Sequence, residues 1–232
     1  MITGIVIPTE LEASLIIEGL GGAITTIQRK RFYQGALAED TAVVLCICGI
    51  GKANAAHGTT LLIEYHSPDL VCTLGVAGAY PSSGLVVGDL AVAEREIYGD
   101  EGLLLSDGFK TMESLDLPLF ADGIRAFYNE FPLIIPEPFG AVAKKGNFVT
   151  LSGCTGTMSR AREIEQRFGA VCETMEGAAV AHVCRINGIP ACEVRGISNV
   201  IEDREARPLS RPDIVAAALK VQEFFLSCVH LL

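Results

Sequence analysis

The chain has 232 residues, 50% of them hydrophobic and 20% charged, so it can bury a sizeable core and is expected to be globular rather than disordered. Its formal net charge of −10 offers no basic stripe to neutralise phosphates, which argues against nucleic acid as a partner. Glu, Asp, Lys or Gly interrupts each apolar run before it reaches spanning length, and the N-terminal "MITGIVIPTELEASL" has no basic n-region; a soluble, cytoplasmic chain without a membrane partner is expected.

Short apolar runs rich in β-branched residues alternate with helical patterns along the chain. "GIVIP" (4–8) precedes the helical "ELEASLIIEGL", and "TAVVLCIC" (41–48) precedes "KANAAHGTTLLIEYH". Strand-like stretches follow at 69–75, 85–95 and 140–153. Then come a polar-faced helix "SRAREIEQRF", a strand "AVCETM", a helix "EGAAVAHVCRING" ending at Gly188 and a strand "IPACEVRGIS". An amphipathic helix starting at Pro212 closes the chain. Buried, non-alternating strands between helices predict a three-layer α/β/α fold with a central mixed, largely parallel twisted sheet. The stretch 103–139, with prolines at 118, 132, 136 and 138, is less regular and is expected to hold a lid or an oligomer contact. No linker or repeat divides the chain, so 1–232 reads as one domain.

The eight cysteines lie mostly singly within apolar runs, with no paired CxxC spacing; buried free thiols are expected, with neither a disulfide framework nor a metal site. His57, His66, His182 and His230 show no ligand spacing either, and no cofactor is called for. Ligands of open α/β sheets sit beyond the carboxyl ends of the strands. Those ends are Pro8–Glu12, Gly49–Lys52, Gly75–Ala79, Ser152–Thr157, Thr174–Gly177 and Ser198–Asp203. They carry three glycine-rich turns, two carboxylates entering helices, and Asn199. "GIGK" lacks the full GxxxxGK[ST] phosphate cradle, and neither GxGxxG nor GxSxG occurs at a helix start.

In order, "TELEASL", "GIGKANAA", "LGVAGAY", "VVGDLAVAE", "CETMEGAAVAHVC" and "VRGISN" resemble the purine nucleosidase/phosphorylase superfamily over almost the whole chain. The nearest subgroup is the futalosine hydrolases of the alternative menaquinone pathway, followed by the 5′-methylthioadenosine/S-adenosylhomocysteine nucleosidases. The resemblance implies a nucleoside phosphorylase-like fold, a homo-oligomer, and cleavage of the N-glycosidic bond between a purine and a ribose through an oxocarbenium-like transition state. It implies that Glu12 is the general base holding the attacking water, with Glu10 as its rival. Glu176 would bind the ribose hydroxyls as the ring gains positive charge. Thr174 and Met175 would line the sugar, and Ile50, Val76, Ala77 and Gly78 the sugar and base. Arg195 and Ser198 would support the water or the base, and Gly153–Thr157 would close over the purine.

Two departures bear on substrate. The methylthioadenosine-cleaving relatives carry Ser where Val76 stands and Asp where Asn199 stands. An amide at 199 offers an NH2 donor to the exocyclic oxygen of a 6-oxopurine, which favours hypoxanthine over adenine as the released base. The first loop, "PTELEAS", holds no arginine for phosphate, so water is the expected acceptor. For a carboxylate on the substrate tail, Arg204, Arg207 and Lys110 stand as equal candidates.

Overall fold

The computed structural model describes all residues except 39, 40, 107 and 143. Strand β1 (Ile2–Ile7) leads into helix α1 (Glu10–Leu20), and a hairpin of β2 (Ala23–Ile27) and β3 (Lys30–Leu37) precedes β4 (Thr41–Ile47) and α2 (Lys52–His66). Next come β5 (Leu70–Ala79) and β6 (Leu90–Tyr98), then the short strands β7 (Gly102–Leu105), β8 (Gly108–Thr111), β9 (Phe120–Ala121), β10 (Ala126–Phe127) and β11 (Glu130–Pro132). The chain finishes with α3 (Glu137–Gly140), β12 (Lys144–Thr150), α4 (Met158–Phe168), β13 (Ala170–Thr174), α5 (Gly177–Ile186), β14 (Ala191–Val200) and α6 (Arg211–Cys228).

Ten strands form one mixed sheet flanked by helices, the expected three-layer α/β/α arrangement. Its parallel pairs are β1 with β4 and β5, β5 with β14, and β12 with β6 and β13. Antiparallel pairs join β2 to β3, β3 to β4, β5 to β13, and β6 to β11 and β14. Strands β6, β12, β13, β5 and β14 therefore close on themselves as a ring. Its interior is filled by side chains from all five: Ala77, Ala79, Ala91, Ala93, Phe148, Cys172 and Ile197.

The alternation of β1 assigns the outer layers. Ile5 and Ile7 pack toward α1 and α6 with Ala13, Ile16, Val221 and Phe225, whereas Val6 faces α2 and α5 with Ala55, Leu62 and Ala178. Residues 211–231 are long and apolar enough, by length and composition, to cross a membrane, which corrects the expectation that no segment reaches that length. Here one face of α6 packs into the core, with Ala217, Ala218, Val221 and Phe225 buried against α1 and β14.

Helices α1 and α2 occupy the segments the periodicity predicts. The β2–β3 hairpin lay outside those expectations. Its turn places Gln28 and Arg29 at φ 45° and 68°, a conformation usually signalled by Asn-Gly, and no such dipeptide stands there. The strand expected from residue 85 begins at 90, because Val86 to Asp89 form a turn through Gly88 at φ 90°. Within the less regular stretch 103–139, β7 pairs with β8 and β9 with β10, both antiparallel.

Candidate active site

The carboxyl ends of β1, β4, β5, β13 and β14 open onto a cavity of about 320 Å³. Its lining includes Glu12, Ile50, Val76, Ala77, Gly78, Thr174, Met175, Glu176, Ser198 and Asn199, so segments from five parts of the chain converge on one space. Cys154, Thr155 and Gly156 from the loop before α4 add to the wall.

Glu12 is held by a modified helix cap. Thr9 is the N-cap of α1, and its hydroxyl accepts from the Glu12 N–H. In a reciprocal capping box the acid would reach back to the cap backbone. Here one Glu12 oxygen accepts from the Thr9 hydroxyl at 2.6 Å and the other accepts the Val76 N–H at 3.0 Å, across 64 residues of chain. The carboxylate is thereby turned from its own helix toward β5. It is 6% exposed, and burial raises its pKa above the ordinary 4.5, against the lowering effect of its two hydrogen bonds. Glu10, the rival acid, points elsewhere: it pairs with Arg31, accepts from Tyr33 Oη at 3.1 Å and stays exposed.

Glu176 sits between β13 and α5, 4% exposed, and accepts the Gly51 N–H at 2.9 Å. The glycine turn "GIGK" thus serves a carboxylate. Lys52 is committed elsewhere, donating to Asp100 and Glu101 at 2.7 Å each. The glycine after Glu176 has a packing reason. A Cβ on Gly177 would overlap the oxygens of Glu96 and Glu193, which lie directly beneath it.

Those two acids belong to a buried network that is invisible from any single motif. Arg195 is fully buried, with Nε donating to Glu193 at 2.7 Å and Nη1 3.6 Å from Glu176. Glu96, also fully buried, accepts from the hydroxyls of Thr150 at 2.8 Å and Thr174 at 3.2 Å. Burial and the neighbouring Glu193 carboxylate push Glu96 well above the ordinary carboxylate range, while Glu193 faces the Arg195 guanidinium, which works against its own burial. Arg195 therefore stands behind the cavity wall, not in it. Expected to support the water or the base, it is absent from the cavity lining and meets Glu176 and Glu193 instead. Gly75 keeps this arrangement compact, since a Cβ there would stand 2.6 Å from Arg195 Nη1 and 2.8 Å from Glu12 Oε1.

Asn199 lies across the cavity, leaving β14. The Ser198 hydroxyl is 3.0 Å from Asn199 Oδ1 and 3.2 Å from the Ala77 carbonyl, and its single proton serves one of them at a time. Nδ2 lies over Gly78, whose missing side chain admits it: a Cβ there would be 3.0 Å away. Arg204 is the one cation among the described lining residues, and it donates to the Val200 carbonyl at 2.9 Å. Arg207 and Lys110 are not in the wall. Seven cysteines are buried free thiols as expected, but Cys154 is exposed at the cavity, its Sγ 3.6 Å from Met175 Sδ.

Three wall residues escaped the sequence reading, Leu209, Ile214 and the carboxylate of Glu173. Glu173, buried at the end of β13, accepts the Thr155 N–H at 2.8 Å and the Tyr80 hydroxyl at 3.2 Å. Its place at a strand's carboxyl end, three residues before Glu176, was the available signal.

Residues 3–231 match the Phosphorylase superfamily. The chain belongs to that family. A superfamily relative from Halalkalibacterium halodurans, a 5′-methylthioadenosine/S-adenosylhomocysteine nucleosidase, is 32% identical over 182 residues, covering 75% of this chain and 74% of that protein. The futalosine hydrolase of Thermus thermophilus is 34% identical over 166 residues, covering 69% and 71%. Among solved structures, the Neisseria meningitidis methylthioadenosine/adenosylhomocysteine nucleosidase in complex with methylthio-immucillin-A superposes with a TM-score of 0.82 over 100% of this chain and 99% of its own. At 22% identity that likeness establishes the superfamily fold.

Proposed function

We propose that the protein is an N-glycosyl hydrolase that cleaves a purine nucleoside, with futalosine as substrate and hypoxanthine as the released base. One observation carries the reading. Two carboxylates, Glu12 and Glu176, and the amide of Asn199 line a single cavity built at the strand ends. Glu12, its pKa raised by burial, is suited to take a proton from water. Glu176, anchored on Gly51 N–H and faced by Arg195, can accept from ribose hydroxyls and stabilise positive charge as it grows on the ring. Water delivered from the Glu12 side adds to the anomeric carbon as the bond to the base breaks. Asn199 holds the departing base, whose ring nitrogen 7 takes its proton from solvent.

The acceptor in this reading is water. Arg195 is already committed to Glu193 and Glu176, and Arg204, the one arginine among the described lining residues, to a backbone carbonyl, so no arginine cluster for phosphate stands among them. A second reading, a methylthioadenosine/adenosylhomocysteine nucleosidase, is supported by relatives of nearly equal similarity. Asn199 favours the 6-oxopurine. We further place the enzyme in the cytoplasm as a homo-oligomer of a single 1–232 domain acting in menaquinone biosynthesis. Incubating the purified protein with futalosine, inosine, adenosine and methylthioadenosine, with and without phosphate, tests the reading. Free hypoxanthine and an unphosphorylated sugar are expected from futalosine; a phosphorylated sugar would overturn hydrolysis.

A further inference from the structure

Glu173 is the cavity carboxylate that the hydrolytic chemistry leaves unused. Thr155 N–H holds one of its oxygens at 2.8 Å, and Tyr80 Oη, itself fully buried, holds the other at 3.2 Å. Donors from two separate segments thus fix the group, and each oxygen keeps a further lone pair for a ligand. Its position relative to Asn199 is set by Gly78. A Cβ on Gly78 would stand 3.0 Å from Asn199 Nδ2 and 3.6 Å from Glu173 Cγ, so both side chains close on the same bare patch of β5.

Two polar groups flanking one glycine can meet neighbouring positions on one edge of a purine. If Asn199 meets the exocyclic group at ring position 6, the neighbour is ring nitrogen 1. That atom carries a hydrogen in a 6-oxopurine and a bare lone pair in a 6-aminopurine. The nearby Thr155 N–H cannot serve the bare lone pair, because it already donates to Glu173. We propose that Glu173 is a specificity-determining residue, accepting the hydrogen on ring nitrogen 1 of a 6-oxopurine and excluding the 6-amino base. The inference rests on the cavity being a purine nucleoside site. A role confined to tying the 154–156 loop to β13 would give no dependence on that hydrogen.

The test is calorimetric titration of hypoxanthine, 1-methylhypoxanthine and adenine into the wild-type protein, Glu173→Gln and Glu173→Ala, at neutral pH, where hypoxanthine keeps the hydrogen on ring nitrogen 1. The wild-type protein should bind hypoxanthine roughly 10- to 100-fold more tightly than adenine, the range of losing one hydrogen bond to a charged group. It should bind 1-methylhypoxanthine at least as poorly as adenine. Glu173→Gln can turn its NH2 to the bare ring nitrogen, so its hypoxanthine preference should fall about tenfold or more. Glu173→Ala, which makes room for the methyl group, should bind the two hypoxanthines alike. Should neither variant fold, the wild-type titrations decide alone. Equal wild-type affinity for hypoxanthine and its 1-methyl derivative would overturn the inference, as would an unchanged base preference in Glu173→Gln, while leaving the nucleosidase reading intact. Failure of the wild-type protein to bind any purine or cleave any purine nucleoside would remove the nucleosidase reading, and Glu173's role with it.

Discussion

Glu12→Gln separates chemistry from folding more cleanly than any other substitution in this site. The amide is nearly isosteric, can still accept the Val76 N–H, and can donate to the Thr9 hydroxyl in place of accepting from it. It cannot take a proton from water. Loss of a positioned general base lowers kcat by roughly 10²–10⁴-fold, or about 3–5 kcal/mol of barrier. Stability should move the other way. Burial raises the pKa of Glu12 in the folded state, so the fold binds that proton more tightly than the unfolded chain does. The associated stability is fully present below the ordinary 4.5 and is lost as pH rises through the folded value. Glutamine removes this loss. The urea midpoint of Glu12→Gln should therefore match wild type at acid pH and equal or exceed it near neutrality. Single-turnover rates on futalosine, paired with urea unfolding at both pH values, provide the assay. Near-wild-type turnover, or a variant that unfolds more readily at neutral pH, would refute the assignment.

Other outcomes follow from the same geometry. Asn199→Asp should lower the ratio of kcat/KM for futalosine over its 6-amino counterpart by roughly 5- to 150-fold, the range of about 1–3 kcal/mol for an unpaired buried polar group; competition assays with both substrates check it. Arg195→Met leaves Glu193 and Glu176 buried without their cation and should cost about 3–5 kcal/mol in urea unfolding, far more than any exposed Arg→Met control. Gly177→Ala should destabilise the fold and release the Glu96–Glu193 pair, seen as lost protection of the Gly177–Val180 amides in hydrogen exchange. The kcat/KM profile should fall on its acid side with an apparent pKa above 4.5, since Glu12 must be ionised to act; a limb at or below that value would contradict its burial.

Much of the cavity was legible because its residues sit at strand ends, where apolar runs give way to glycines and acids. Glu12 could be read from "TELEASL", though local pattern alone did not separate it from Glu10. Only the pairing of Glu10 with Arg31 and Tyr33 on the neighbouring hairpin does so. That hairpin left little trace, since β2 is an exposed edge strand and its turn uses Gln28 and Arg29 in place of glycine. The Glu96–Glu193–Arg195 network was equally hidden. Glu96 sits in the charged run Glu94–Arg95–Glu96 and Glu193 stands alone between apolar neighbours, and 97 positions separate partners that meet only when β6 and β14 close the ring. Arg195 was named from "VRGISN", but strand register rather than motif decides that it lies behind the wall. Glu173 went unread beside the stronger signal of Glu176.

Base selection by Asn199 within a hydrolytic site is the central claim, and the most direct measurement is a competition between futalosine and methylthioadenosine in one reaction, with released bases separated and quantified over time. Hypoxanthine should accumulate in excess of adenine, at a rate independent of added phosphate. Adenine as the dominant product would show that the pocket reads a 6-aminopurine despite Asn199.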